Sequence, residues 1–486
     1  MDRRRRRRIL FVTPPYHCGV VEVAGSWPPL GFLYLGQQAL EAGWEAEIYD
    51  AMTLRHDFGD IRREFRDRAF DVLATTAITP TYPDAHELCR LAKTIRPGCT
   101  TLLGGVHPTF CFDEILTPQS SAVDYVIGGE GELPLRHFLA HFDDLERRHA
   151  TPNLMWRENG RVRANPFLPL IDNLDTFTAA WPLLDWNRYQ YHVIPHSRLG
   201  AVSTSRGCIH GCTFCSQQKF WGKIWRGRSP DVVVEEMRRL HADYGVNVFL
   251  FTDEYPTYDR ARWEKLLDLI IDARLESYIL IETRVEDIVR DEDILPKYRR
   301  AGIIHVYVGA EATDQATLDR INKDISVADS RRAIELIARH GMISETSFVL
   351  GFPEETPQSI ERTFQQAREF NPDFAHFLAI TPWPYSELYR EVSPHIETHD
   401  YRLYNLVEPI IAPRAMSRRE IDRAIIDCYA RFYMGKFAEY RRQTDPFRRE
   451  YLMTSTRLIM QSSFLIKKLS RLGLSPAALM QGIAGT

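Results

Sequence analysis

The chain has 486 residues, 44% of them hydrophobic and 26% charged, with a formal charge of −4 at neutral pH. That length exceeds one ordinary core and predicts two or three domains, while the charge balance gives no electrostatic case for nucleic acid and favours a small-molecule enzyme. Its eight cysteines do not resemble a disulfide framework: three crowd into one short loop, as metal ligands do in a reducing compartment, so the expected location is cytoplasmic.

Six arginines, Arg3 to Arg8, precede an apolar stretch that runs only from Ile9 to Thr13 before Pro14 and Pro15. That is too short for the apolar core of a signal peptide. The basic run reads as a solvated tail, with contact to an anionic membrane surface as the other reading. No apolar run of about 18 residues offers a membrane span.

From Ile9 to about Phe142, ILFVT, EAEIYD, DVLATTAI, TTLLGG and VDYVIGG read as strands separated by helical stretches such as GFLYLGQQALEAG and HELCRLAKTI. This alternation predicts a doubly wound, Rossmann-like α/β domain over residues 1–146. Ligands of such sheets lie beyond the carboxyl ends of the strands. The segments leaving those ends carry Tyr16, Thr79, Gly104, Gly105, His107, Gly129, Glu130 and Gly131. Glycines there let the backbone approach a large flat ring closely; His107 reads equally well as a structural histidine bonded to its own loop.

Residues 147–195 lose the rhythm and carry five prolines, which reads as a linker. Over 196–390, AVSTSRG, VNVFLFTDE, YILIETR, IIHVYVGAE, ETSFVLGF and FAHFLAITP alternate with helical stretches and predict a partial (β/α)6 barrel of the TIM type, active at its strand carboxyl ends. Residues 391–486 read as a helical, basic and aromatic region that includes Tyr429 to Met434 and Phe464 to Lys468.

After the first barrel strand stands Cys208-Ile209-His210-Gly211-Cys212-Thr213-Phe214-Cys215, a C-x3-C-x2-C loop. Three close thiolates bind three irons of a cubane cluster and leave the fourth iron open to an outside ligand. Zinc, with His210 or a distant cysteine as fourth ligand, is the rival reading, but a second cysteine or histidine pair at regular spacing is missing.

The loop, with Phe214 as its aromatic residue, resembles that of the radical S-adenosylmethionine superfamily. The resemblance implies a 4Fe-4S cluster on Cys208, Cys212 and Cys215 whose open iron chelates S-adenosylmethionine. It further implies that Thr252, Asp253 and Glu254 meet the methionyl amine, that Glu282 and Arg284 meet the ribose and methionyl carboxylate, and that Gly309, Glu311 and Gly351 lie along adenine. The first domain resembles the cobalamin-binding domain of the superfamily's cobalamin-dependent branch. The lower-ligand motif D-x-H-x-x-G is absent from the loop after the first strand; Asp84-Ala85-His86 comes nearest, in the helix after the third, where Asp84 suits a helix N-terminus. Cobalamin bound without a protein histidine is the expectation.

Across nearly its whole length the chain resembles the anaerobic magnesium-protoporphyrin IX monomethyl ester oxidative cyclases, on Ala24 to Pro29, Thr76 to Pro80, Gly104 to Thr109, Thr381 to Pro384 and Tyr429 to Met434. That implies a large apolar tetrapyrrole substrate, a reductant such as flavodoxin or ferredoxin, and oxygen drawn from water. A cobalamin-dependent radical methyltransferase shares every cofactor motif, and a cobalamin or metal sensor without turnover is the alternative outside enzymes.

Overall fold

The computed structural model describes residues 6–17, 23–118, 121–461 and 468; Arg3 to Arg5 and Phe464 to Lys467 lie outside them. The chain forms two compact units, one of Met1–His17, Pro28–Arg188 and Asp400–Arg402, the other of Cys18–Trp27, Tyr189–His399 and Leu403–Thr486.

In the first unit β1 (Arg8–Val12), β2 (Glu45–Tyr49), β3 (Val72–Thr76), β4 (Thr100–Gly104) and β5 (Tyr125–Ile127) are parallel, in the order β2-β1-β3-β4-β5. The runs of the inner strands β1, β3, β4 and β5 are largely buried because both faces are covered, while the edge strand β2 exposes Glu45 and Glu47. Leu10, Val12, Leu73 and Leu103 pack with Ile61, Phe65 and Leu88, while Ile9, Phe11, Val72 and Leu102 pack with Phe32, Leu135 and Phe138. The strand order reverses between β1 and β3, which places a binding crevice at their carboxyl ends.

The linker expected over 147–195 is corrected in part. β6 (Leu154–Glu158) and β7 (Arg161–Ala164) form a hairpin that joins β5 antiparallel and extends the sheet to seven strands. Asn159 and Gly160 both have positive φ, 50° and 77°, as a tight two-residue hairpin turn requires. The rest of the stretch carries only short single turns up to Arg188.

The second unit follows with β8 (Leu199–Val202), the short antiparallel pair β9 (Ser205–Arg206) and β10 (Arg226–Gly227), then β11 (Val248–Phe251), β12 (Tyr278–Thr283), β13 (Ile303–Glu311), β14 (Ile343–Leu350) and β15 (Phe374–Ala379). All six expected barrel strands are present, parallel and in sequential order from β8 to β15, an open sheet with helices between successive strands. One face is sealed by those helices, Phe251 against Trp263 and Phe377 against Phe364. On the other face Leu250, Glu282, His305, Tyr307, Glu345, His376 and Leu378 are exposed or half-buried while their chain neighbours are buried. The barrel therefore keeps an open concave interior.

Two long helices close the described chain, Arg418–Arg441, capped reciprocally by Ser417 and Glu420, and Pro446–Gln461. No helix among the described residues is long and apolar enough to cross a membrane.

Candidate functional site

The cysteine loop leaves β9 through Gly207, whose φ of +94° and whose approach to the Ile224 carbonyl oxygen leave no room for a Cβ. Two acids at the end of β11, buried Asp253 and half-buried Glu254, anchor it. Asp253 accepts the Thr204 N–H and hydroxyl, both at 2.9 Å, and the Ser205 hydroxyl at 2.5 Å. Burial pushes its pKa up and those bonds oppose the rise. Glu254 accepts the Gly207 N–H at 3.1 Å and the Trp221 indole N–H at 2.9 Å. Asp253 and Glu254, expected to meet an ammonium, thus also anchor the loop. Thr252, between them and the strand, is exposed.

The far side of the loop is held by the segment after β13. Thr213 donates its N–H to Ile321 at 2.9 Å, and the Asn322 side chain donates to the Gly211 carbonyl at 2.8 Å. Leu388 N–H reaches the Thr213 carbonyl at 3.0 Å, and Gln218 the Cys212 carbonyl at 3.0 Å. Within this frame the Cys212 sulfur lies close enough to the other two for its charge to raise both. Burial pushes Cys208 up and Cys215 up to about 11, while Lys323 pulls both down and Arg284 pulls down Cys208.

Three sulfurs sharing one electrostatic neighbourhood with two cations fit an anionic thiolate-ligated cluster, which lowers the thiol pKa by coordination. Among the described residues no three His, Cys, Asp or Glu side chains form a group able to hold a metal ion directly; a cubane spreads its ligands around a cage. His210 faces Glu286, 3.9 Å from its Nε2.

Lys323 went unseen in the sequence, since nothing in Asn322-Lys323-Asp324 marks it. It is buried, 3.0 Å from Glu311, whose other oxygen accepts from Ser347 at 3.2 Å. Glu311, Asn322 and Asp324 all hold left-handed φ values of 62°, 51° and 51°, the kind of stored strain found at functional sites. Lys323 also lies 5.9 Å from the Phe214 ring centre. Gly309 leaves room for Lys323 and Glu311 to meet, for a Cβ there would come 2.8 Å from the ammonium nitrogen. Arg284, also buried, gives one nitrogen to the Lys323 carbonyl at 2.8 Å and pairs with Glu286. Gly351 has φ +94° and donates its N–H to Glu355 at 3.1 Å.

The open interior starts beside this group. Glu282, one residue before the end of β12, is exposed to this interior, and the protein crowded around it, with the charges of Glu345 and Glu254, pushes its pKa up to about 7. Deeper, Glu345 lies 2.6 Å from His305 Nε2 and is also bonded by His376. The two imidazoles hold its pKa low against the opposing effect of burial. Tyr451 reaches His305 Nδ1 at 2.7 Å and Tyr429 reaches His376 Nδ1 at 3.3 Å.

In the first unit a cavity of about 220 Å³ lies at the carboxyl ends of the strands, lined among others by Thr13, Gly31, Thr75, Gly104, Gly105, Gly129 and Gly131. Gly105, at φ +100°, would place a Cβ 2.6 Å from the Ala77 carbonyl oxygen. The four expected glycines thus converge on an apolar crevice that suits part of a broad ring system. Other expected residues have partners within the first unit. Glu130 accepts the Ile171 N–H at 2.8 Å, and Tyr16 donates to the Arg402 carbonyl at 2.7 Å. His107 is buried, 3.2 Å from the Thr79 hydroxyl and stacked on Tyr82 at 4.6 Å. Asp84 stands in the first turn of Tyr82–Ile95 and pairs with Arg402 at 2.9 Å.

Burial lowers the His107 pKa to about 4. The unfolded chain then binds the proton more readily, so the contribution of this residue is complete above its ordinary value of about 6.5 and is lost as pH falls toward 4. At pH 5 the loss is about 2 kcal/mol. Urea unfolding of His107→Asn is expected to show a shallower decline between pH 6.5 and 4 than the parent; parallel slopes would refute it.

Residues 202–367 match the Radical SAM superfamily and residues 16–139 the B12 binding domain. The chain is 36% identical to an anaerobic magnesium-protoporphyrin IX monomethyl ester cyclase of Rubrivivax gelatinosus, over 94% of this chain and 83% of that one. It is 30% identical to an uncharacterized methyltransferase of Pyrococcus horikoshii, over 88% and 92%. Its fold is similar to that of the radical S-adenosylmethionine methyltransferase TsrM from Kitasatospora setae, solved with cobalamin and a 4Fe-4S cluster, at a TM-score of 0.67 and 16% identity over 88% of this chain and 89% of that one.

Proposed function

The chain belongs to the cobalamin-binding radical S-adenosylmethionine enzymes, and on that premise we propose that it is an oxidative cyclase, closing the isocyclic fifth ring of magnesium-protoporphyrin IX monomethyl ester with oxygen from water. Its cofactors are a 4Fe-4S cluster, S-adenosylmethionine and cobalamin. The observation that carries the cyclase reading is its 36% identity to the Rubrivivax gelatinosus cyclase along 94% of the chain. The open, mixed polar and apolar barrel interior supports it as a chamber for a large substrate.

When bound, these groups supply an electron to cleave the sulfonium, a radical to remove hydrogen, and a corrinoid acceptor for the second electron. The protein's part is placement. Cys208, Cys212 and Cys215 would hold three irons, and bonds to Asp253 and Glu254 and from Asn322 and Gln218 fix the backbone of the loop that carries them. Lys323 and Arg284 place positive charge beside the thiolates. Thr252, Arg284, Gly309, Glu311 and Gly351 surround the strand ends where S-adenosylmethionine would lie, and Gly104, Gly105, Gly129 and Gly131 would receive part of cobalamin. A flavodoxin or ferredoxin would serve as reductant.

The reconstituted enzyme, given S-adenosylmethionine, reductant and the magnesium porphyrin ester in water labelled with heavy oxygen, is expected to release a ring-closed ketone carrying the label. A methyltransferase is the second reading, favoured by the 30% identity to the Pyrococcus horikoshii protein. It predicts instead a gain of CH2 traceable to S-adenosylmethionine, and that product would overturn the cyclase.

A further inference from the structure

Among the described residues, the barrel interior holds an acid that the fold does not use. Glu345 is bonded to His376 and lies at ion-pair distance from His305, Glu311 is bonded to Lys323 and Ser347, and Glu254 to Gly207 and Trp221. Glu282 has no hydrogen bond or ion pair among the described residues, and it opens into the interior between buried Ile281 and Thr283. The groups that face it are Glu254 at the end of β11, Tyr307 on β13 and Glu345 on β14. A carboxyl surrounded by two further carboxylates and a phenol, with no cation bonded to it, is poorly built for structure and well built to take up a proton.

Resting on the cyclase reading, we propose that Glu282 is a catalytic residue: its carboxylate takes the proton from the water molecule that bonds to the oxidised substrate carbon. The electrons balance. The carbon has lost one electron within a hydrogen atom, which becomes a C–H bond of 5′-deoxyadenosine, and a second to the corrinoid. The water oxygen then bonds to that carbon, one of its O–H bonds breaks, and the proton passes to a Glu282 oxygen. A base whose pKa lies near 7 is matched to this task at neutral pH, where an ordinary glutamate is a weak acceptor.

The test compares the parent enzyme with Glu282→Gln and Glu282→Asp. Glu282→Gln is expected to form labelled oxygenated product roughly 100-fold or more slowly, while S-adenosylmethionine affinity and cluster absorbance stay within about twofold. The product-formation limb near pH 7 should vanish, and Glu282→Asp should restore part of the rate. Independently of turnover, isotope-edited infrared titration of the apo chain should show a carboxyl band changing near pH 7, absent from Glu282→Gln. A Glu282→Gln enzyme that matches the parent in rate and pH profile, or that loses S-adenosylmethionine binding first, overturns the assignment even if the parent incorporates oxygen from water. A parent that transfers a methyl group overturns the cyclase reading beneath it.

Discussion

Cys212→Ala, purified and reconstituted without oxygen, is expected to show no iron–sulfide absorbance and to form no 5′-deoxyadenosine. Cys212 is the middle of the three sulfurs, the one whose charge reaches both others. A cubane that has lost this thiolate keeps two protein ligands and has no other cysteine in the loop to recruit. The loop itself should survive, because its backbone is fixed from outside: Gly211 by Asn322, Cys212 by Gln218, Thr213 by Ile321 and Leu388. Unchanged unfolding alongside lost absorbance would locate the defect in coordination. Cys428→Ala, which removes a buried thiol from the helix Arg418–Arg441, should leave cluster and cleavage intact. Iron, sulfide and full cleavage activity in Cys212→Ala would refute the ligand set.

The cysteine loop was legible because it is local: three sulfurs within eight residues must share a neighbourhood, whatever they hold. The strands were legible for a similar reason, since sheets covered on both faces need continuous apolar runs such as Ile9 to Val12. The hairpin β6-β7 was also marked, by Asn159-Gly160 between alternating residues, but the surrounding prolines suggested a linker. Asp253 and Glu254 were placed correctly at a strand end, but their anchoring of the loop was not legible, because a charge at that place looks the same whether it faces a ligand or anchors a loop. The difference lies in Thr204, Ser205, Gly207 and Trp221, brought in by folding. Lys323 and the Glu345 group were illegible, since their partners stand on separate strands and helices with no periodic relation to them.

Arg448→Met should destabilise the second unit by roughly 3–5 kcal/mol, the usual effect of removing one partner from a buried ion pair. Arg448, in the helix Pro446–Gln461, bonds both Asp373 oxygens, at 2.6 and 2.7 Å, and the Met342 carbonyl at 2.6 Å. Asp373 in turn accepts the Ser344 N–H and hydroxyl at 2.9 and 3.1 Å, at the amino-terminal ends of β14 and β15. One guanidinium therefore clasps the terminal helix to the floor of the barrel, and that helix supplies Tyr451 to His305. Methionine keeps most of the apolar stem but leaves a buried carboxylate without its cation, and that uncompensated charge is the larger loss. Arg448→Met with Asp373→Asn should recover a substantial part of the stability, because the double change removes the charge as well as its partner. Thermal unfolding of the three chains decides: a single variant as stable as the parent, or a double variant no better than the single one, would mean that the pair does not hold the helix.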